Sequence, residues 1–146
     1  MPGRIFVDTN VLLRLLLQDH DQHHAAADRL FESAGFDEFE LVVTPPTLSE
    51  VVFVLGGSIH KRSRTEIVEA LRAVLDLPLD VFDRSVVATA IELFESRHPD
   101  WDDCLLAAYA LEHAGGSIAS FDKGLDGIDG VARFDPLQLL PGTSAG

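Results

Sequence analysis

The sequence predicts an α/β protein in which a parallel sheet is flanked by helices. Short runs rich in apolar and β-branched residues alternate along the chain with longer segments of helical periodicity. Strands joined by crossover helices produce this alternation, and such connections make neighbouring strands parallel. The 146 residues, of which 47% are hydrophobic, are enough for one domain with a substantial buried core.

Five segments have the composition of strands. In the first, three apolar residues, Ile5 to Val7, lie between Arg4 and Asp8. Strands of a parallel sheet have such continuous apolar runs because both of their faces are buried. The predicted strands cover residues 4–8, 41–44, 79–82, 117–121 and 131–134.

Six segments carry helix signals. Pro45 and Pro46 are tolerated in a first helical turn and precede an apolar stripe. Ser63 and Glu66 have the spacing of a capping box, which marks another helix start. The predicted helices run over residues 11–18, 21–33, 45 to the glycine pair at 56 and 57, 63–75, 83–97 and 100–113.

Apolar residues at helical spacing predict the buried face of two of these helices. In the second helix the predicted buried residues are Ala26, Leu30 and Ala34. In the third helix they are Leu48, Val51, Val52 and Leu55.

The charge balance excludes two classes of function. The chain has 11 Lys+Arg and 24 Asp+Glu, which gives a formal net charge of −13. Non-specific nucleic-acid binding and polybasic membrane binding both depend on an excess of basic residues. The excess carboxylates have another use, since several of them in one cleft would bind a hard divalent cation.

The remaining composition predicts a soluble, cytoplasmic protein. A single cysteine, Cys104, excludes an intrachain disulfide framework and a Cys-based zinc cluster. The sequence shows neither a signal peptide nor the run of about 20 apolar residues that a membrane span needs. We therefore expect no association with a membrane.

Two acids follow predicted strands directly. Ligands of parallel α/β sheets bind outside the carboxyl ends of the strands, so acids at these ends are candidate site residues. Asp8 closes the first strand and Asp122 follows the fourth. Each has a structural alternative, because Asp8 could cap the first helix and Asp122 could be a turn residue.

Two further candidate acids, Glu50 and Asp103, lie on helices near the same edge of the sheet. Glu50 borders the apolar stripe of the third helix, and its alternative is a half-exposed side chain at the rim. Asp100, Asp102 and Asp103 open the sixth helix, where acids are also favoured by the helix dipole. Asp100 fits a cap, and Asp103, which leads into the apolar run, is the one expected to point toward a cleft. Asp102 is expected to face solvent.

Four carboxylates at one edge would repel one another unless a cation compensated them. Mg²⁺ and Mn²⁺ prefer oxygen ligands, activate water and stabilise the charge of a phosphoryl transition state. Asp8, Glu50, Asp103 and Asp122 together therefore predict metal-assisted hydrolysis of phosphodiester bonds.

Four stretches of the chain resemble the PIN-domain nucleases, and within them the VapC-like toxins of toxin–antitoxin pairs. The stretches are IFVDTNVLL at 5–13, TLSEVV at 47–52, DCLLAA at 103–108 and SFD at 120–122. Their order and spacing span nearly the whole chain. Ser120 stands where the family often has threonine, and its hydroxyl can make the same hydrogen bonds.

The resemblance implies a three-layer α/β/α sandwich on a mainly parallel sheet of four to five strands. It implies a single domain at 1–140, followed by a flexible tail at 141–146. The implied activity is that of an endoribonuclease dependent on Mg²⁺ or Mn²⁺, with a homodimer and a small DNA-binding antitoxin as partner. Catalysis and metal binding fall on Asp8, Glu50, Asp103 and Asp122, with supporting polar roles for Thr9 or Asn10 and for Ser120.

Other features are secondary. Lys61, Arg62 and Arg64 form the one basic cluster, which is a candidate contact for an RNA backbone. His20, His23 and His24 share a helix face, for which a solvated polar surface is a better interpretation than a metal site. Asp126 is a weaker candidate for an additional acid.

Two alternatives stay open. One is a phosphotransfer or phosphohydrolase domain that uses Asp8 as phosphoacceptor, although such a domain leaves Asp103 without a role or requires a second Asp at Asn10. The other is a catalytically idle PIN module that acts by binding a partner.

Overall fold

A computed structural model describes residues 3–36, 38–96 and 100–142. Its internal contacts divide the chain into two compact units, Met1–Arg84 and Ser85–Gly146. The predicted end of the fifth helix at Arg97, and residues 143–146 of the predicted tail, lie outside the described residues. The single domain at 1–140 stays a prediction.

The first unit contains a three-stranded parallel sheet. Its strands are β1 (Arg4–Phe6), β2 (Glu40–Val43) and β3 (Asp80–Val81), in the order β1-β2-β3. Ile5 lies opposite Leu41, and Val43 lies opposite Val81. β2 is therefore the middle strand, and its residues 41–43 are fully buried.

Four helices belong to this unit: α1 (Thr9–Leu17), α2 (Asp21–Gly35), α3 (Pro45–Gly56) and α4 (Arg64–Leu75). The predicted apolar stripe of α3 is confirmed, since all four of its residues are buried. The capping box is also confirmed, because the Ser63 and Glu66 side chains each accept a backbone N–H of the other residue. α1 contacts α2 and α3, and α3 contacts α4.

The predicted buried face of α2 is partly wrong. The buried residues are Ala27, Phe31 and Ala34, whereas Ala26 is exposed and Leu30 is only partly buried. Burying the large Phe31 ring removes more apolar area from water than burying Ala26, so the helix turns this face inward. Of the predicted residues, only Ala34 is in the core.

The second unit contains two helices and a two-stranded parallel sheet. The helices are α5 (Arg84–Glu95), which starts at the boundary, and α6 (Trp101–His113). The strands are β4 (Ser117–Ala119) and β5 (Ala132–Phe134), and the 3₁₀ helix Lys123–Gly127 lies between them. Its core contains Ala107, Ala110, Ile118, Leu125 and Ile128.

The α/β class with parallel strands is confirmed, and the architecture agrees with a PIN-like α/β/α fold. All five predicted strands form, but they pair as three and two rather than as one sheet of four to five. Four of them are shorter than predicted, whereas β2 keeps its predicted four residues but begins one residue earlier, at Glu40. Within residues 3–36, 38–96 and 100–142, no helix has both the length and the apolar character needed to cross a bilayer.

Two glycines end α6 and begin the turn into β4. Gly115 has φ +61° and Gly116 has φ +88°, a left-handed region that favours glycine. A Cβ at Gly116 would lie 1.9 Å from the carbonyl oxygen of Gly130, whereas a Cβ at Gly115 would meet nothing within 4 Å. Gly116 therefore has two reasons to be glycine, and Gly115 has one.

We expect Gly116→Ala to lower the free energy of unfolding by more than about 2 kcal/mol. The strain of the left-handed backbone adds to a clash between the new Cβ and the Gly130 carbonyl, which is backbone and cannot shift easily. Gly115→Ala is the matched control and should cost about 1 kcal/mol, from backbone strain alone. Urea unfolding of both variants measures the difference, and equal losses of stability would contradict this explanation.

Candidate metal-binding site

Asp8 connects the first strand to the first helix. Its backbone is extended, and its Oδ1 accepts a hydrogen bond of 2.8 Å from the Thr9 backbone N–H at the start of α1. The capping role foreseen for Asp8 is thus real. Because it engages one carboxylate oxygen of an exposed side chain, the other oxygen can still bind a metal.

Thr9 joins Asp8 to Glu50. The Thr9 side chain is 7% exposed, and its hydroxyl donates a hydrogen bond of 2.6 Å to Glu50 Oε2. Glu50 itself is exposed, in the second turn of α3. Thr9 therefore bonds both predicted site acids of the first unit, Asp8 through its backbone N–H and Glu50 through its hydroxyl.

Asn10, the other candidate for a supporting role, borders a cavity of the first unit. It lines a cavity of about 520 Å³ between α1 and α2, together with residues that include Val11, Arg14 and Leu30. The structure thus separates two neighbouring residues of one motif: Thr9 contacts a site acid, and Asn10 borders an apolar cavity.

Asp103 is a partly buried acid of the second unit. Asp100 caps α6 by accepting a 2.8 Å hydrogen bond from the Asp103 backbone N–H, and Asp102 is exposed, both as predicted. Burial raises the pKa of the Asp103 carboxyl, and the charges of Asp100, Asp122 and Asp102 raise it further. Asp103 therefore sits in an excess of negative charge.

Asp122 is fixed in the loop after β4. Its Oδ1 accepts a 2.8 Å hydrogen bond from the Gly124 N–H, so it is a turn residue as well as a strand-end acid. Its backbone N–H donates to Ser120 Oγ at 3.0 Å, which places the Ser120 hydroxyl beside it. A Cβ at Gly124 would lie only 3.1 Å from Asp122 Oδ1, so a glycine there permits this close approach.

Each unit thus brings two predicted site acids together, Asp8 with Glu50 and Asp103 with Asp122. Within the part of the chain that the structure describes, no three or more His, Cys, Asp or Glu side chains form a group that could already hold a metal ion. The donors nevertheless suit Mg²⁺ or Mn²⁺, because they are carboxylate oxygens. The raised pKa of Asp103 also marks negative charge that a cation would relieve.

The basic cluster follows the C-terminal end of α3. About 9 Å of helix separates Glu50 from the end of α3, and Lys61 comes after that end. Arg62 is already paired with Glu66 at 3.2 Å.

The predicted solvated face of histidines is present in part: His20 and His23 are exposed, whereas His24 is half-buried and its Nδ1 lies 3.1 Å from the Arg14 carbonyl oxygen. His20 caps α2 by accepting the His23 N–H at 3.1 Å, and the two rings stack at 3.9 Å. The lone pairs of stacked rings do not converge on one point, which agrees with a polar surface rather than a metal site.

Arg133 is a residue that sequence reasoning missed. It lies on β5 and contacts Asp126, Ser120 and Asp135, which surround the loop that carries Asp122. Asp126 is therefore an ion-pair partner of Arg133. The available signal was an arginine in a short strand between two acids, a pattern too common to single out.

Comparison with known proteins identifies the family. Neither the curated proteins nor the solved structures contain a match to this chain. The PIN domain, which is generally a metal-dependent nuclease fold, matches residues 5–131, a range that includes all four predicted site acids. Since this match covers far more than half of the 146 residues, the chain belongs to the PIN domain family.

Proposed function

We propose that this protein is an endoribonuclease dependent on Mg²⁺ or Mn²⁺, in which Asp8, Glu50, Asp103 and Asp122 hold the metal. One observation carries the proposal: the four acids that the sequence selects, two at strand ends and two on helices, are oriented by hydrogen bonds or crowded by like charge. Carboxylates without a binding role would be more stable if they were farther apart and fully solvated, because their charges would repel one another less.

The chain's own residues orient the donors before a substrate arrives. Thr9 holds Glu50, the start of α1 holds Asp8, and Gly124 holds Asp122, each through a hydrogen bond of 2.6–2.8 Å. Such preorganisation lowers the cost of assembling a catalytic site. When bound, the divalent ion supplies an activated water and neutralises charge on the phosphodiester.

Local neutralisation also explains how so acidic a chain would bind RNA. The net charge of −13 disfavours binding by the bare surface, whereas a metal cancels negative charge where the phosphate must approach. Lys61, Arg62 and Arg64 are our proposed contacts to the RNA backbone. They follow the C-terminal end of α3, where the Arg62 backbone N–H donates to the Leu55 carbonyl at 2.8 Å.

We further propose that the protein is the toxin of a VapBC-type pair, acting in the cytoplasm as a homodimer. The support is the resemblance of the four motif stretches, together with membership of the PIN family. An acidic surface also suits a small basic DNA-binding antitoxin as partner.

We expect RNA cleavage to be abolished by EDTA and restored by excess Mg²⁺ or Mn²⁺. Asp8→Asn and Asp103→Asn should each reduce cleavage by about 100-fold or more, because each removes a charged metal ligand. Asp102→Asn is the matched control, since it changes an exposed acid one residue from Asp103.

Three results, one each from the cleavage assay, from covalent labelling and from calorimetry, would overturn the proposal. Full activity of Asp8→Asn or Asp103→Asn would exclude these residues as ligands. Covalent labelling of Asp8 by a phosphate donor would favour the phosphotransfer alternative. Absence of Mn²⁺ binding in calorimetry would favour an idle module that acts through a partner.

Thr9→Val tests the support of Glu50. Valine keeps the shape of the side chain but cannot donate to Glu50, so we expect activity or metal affinity to fall by about 10-fold to 100-fold. Thr44→Val is the control, because it removes a similar hydroxyl contact, to Thr47 at 3.2 Å. Equal activity of the two variants would show that the Thr9 bond has no role in the site.

Asp103→Asn should stabilise the metal-free fold. Because the pKa of Asp103 is raised in the folded state, folding favours its protonated form. Protonation of Asp103 therefore stabilises the fold at low pH, and this contribution is lost as the pH rises through the folded-state pKa. At neutral pH the ionised carboxylate therefore opposes folding, and the neutral amide should raise the thermal midpoint by about 1–3 °C.

Thermal denaturation from neutral pH to about pH 4 measures this effect. The advantage of Asp103→Asn should shrink toward the acid end, where the native carboxyl takes up its proton. Asp129→Asn, at an exposed position, is the control and should leave the midpoint nearly unchanged. A lower midpoint for Asp103→Asn at neutral pH would contradict the expected sign.

A further inference from the structure

We propose that Arg133 is a positioning residue that fixes the loop carrying Asp122 from both sides. This inference rests on the proposed function, because it assigns Arg133 a role through a proposed metal ligand. It concerns only the second unit and uses contacts inside it.

The guanidinium of Arg133 reaches two points that bracket Asp122. Its Nε and Nη2 donate to the two carboxylate oxygens of Asp126 at 2.8 and 3.2 Å, which is a bidentate ion pair. Its Nη1 donates to the backbone carbonyl of Ser120 at 3.0 Å. One rigid group therefore holds the chain two residues before Asp122 and four residues after it.

The bidentate geometry distinguishes this ion pair from an ordinary surface pair. The Arg133 side chain is 10% exposed, whereas Asp126 is 53% exposed. The hydrogen bond to Arg133 lowers the pKa of Asp126, and the same bond raises the pKa of Arg133. Both groups are thus charged at neutral pH, and lysine could not reproduce the planar fork.

Two further hydrogen bonds connect the loop that Arg133 holds to Asp122 itself. Ser120 Oγ accepts the Asp122 N–H, and Asp122 Oδ1 accepts the Gly124 N–H. Displacing either anchor would change the direction of the Asp122 carboxylate. The loop also has apolar anchors, because Leu125 and Ile128 are each 2% exposed, so loss of Arg133 should loosen it without unfolding the unit.

Arg133→Met tests this role, with Arg4→Met as the matched control. Arg4 also makes two ion pairs, to Glu40 at 2.9 Å and Asp80 at 2.8 Å, but in the first unit. We expect Arg133→Met to raise the Mn²⁺ concentration for half-maximal cleavage by about 10-fold and to lower kcat, with the KM for RNA unchanged. Arg133→Lys should recover part of the loss, and Arg4→Met should behave as wild type.

The two acidic partners of Arg133 provide a second comparison. Asp126 lies on the 3₁₀ helix after Asp122, whereas Asp135 contacts Arg133 at 3.7 Å from beyond β5. Asp126→Asn should therefore reproduce the Mn²⁺ effect of Arg133→Met, and Asp135→Asn should not. A general loss of stability would not distinguish these two variants in this way.

Two results would overturn the inference: an unchanged Mn²⁺ dependence in Arg133→Met, or a loss that appears only in the KM for RNA. If wild-type protein neither binds Mn²⁺ nor cleaves RNA, the proposed function fails instead. Hydrogen exchange at the Gly124 amide then decides whether Arg133 holds the loop. It should be about 10-fold faster in Arg133→Met than in Arg4→Met, and equal rates would reject the positioning role.

Discussion

Parallel pairing of the strands is the constraint on which the candidate site depends. β1 and β2 run in the same direction, with Phe6 opposite Val42, so the helices that follow them begin at the same edge of the sheet. Asp8 caps the first of these helices, and Glu50 lies in the second turn of the other. Antiparallel pairing would place the two helix starts at opposite edges, and the 2.6 Å bond between Thr9 and Glu50 could not form.

Crowding of like charge is the second property of the site, and it opposes folding. Burial and three neighbouring carboxylates raise the pKa of Asp103, so its ionised form is costly at neutral pH. Natural proteins retain such costs mainly where function requires them. Arg133 does not relieve this crowding, because its guanidinium is engaged by Asp126 in a bidentate pair. A bound divalent cation would relieve it directly.

Patterns among residues close in sequence predicted the helices and strands well. They did not predict contacts between residues that are far apart in the sequence. The capping box at Ser63 and the apolar stripe of α3 depend on residues a few positions apart, so the sequence displays them directly. Strand-end placement selected Asp8 and Asp122 for the same reason. Thr9, not Asn10, contacts Glu50 because of how α1 packs on α3, and Arg133 reaches Asp126 across a turn. Side-chain direction in packed elements decides both contacts, and periodicity alone does not specify it.

The central claim of the proposed function is that Asp8, Glu50, Asp103 and Asp122 are metal ligands. The most direct measurement is an anomalous difference map from crystals of the full chain grown with Mn²⁺. We predict that the carboxylates of Asp8, Glu50, Asp103 and Asp122 each lie at ligand distance from a Mn²⁺ peak. The absence of a peak beside these four residues at saturating Mn²⁺ would contradict the claim.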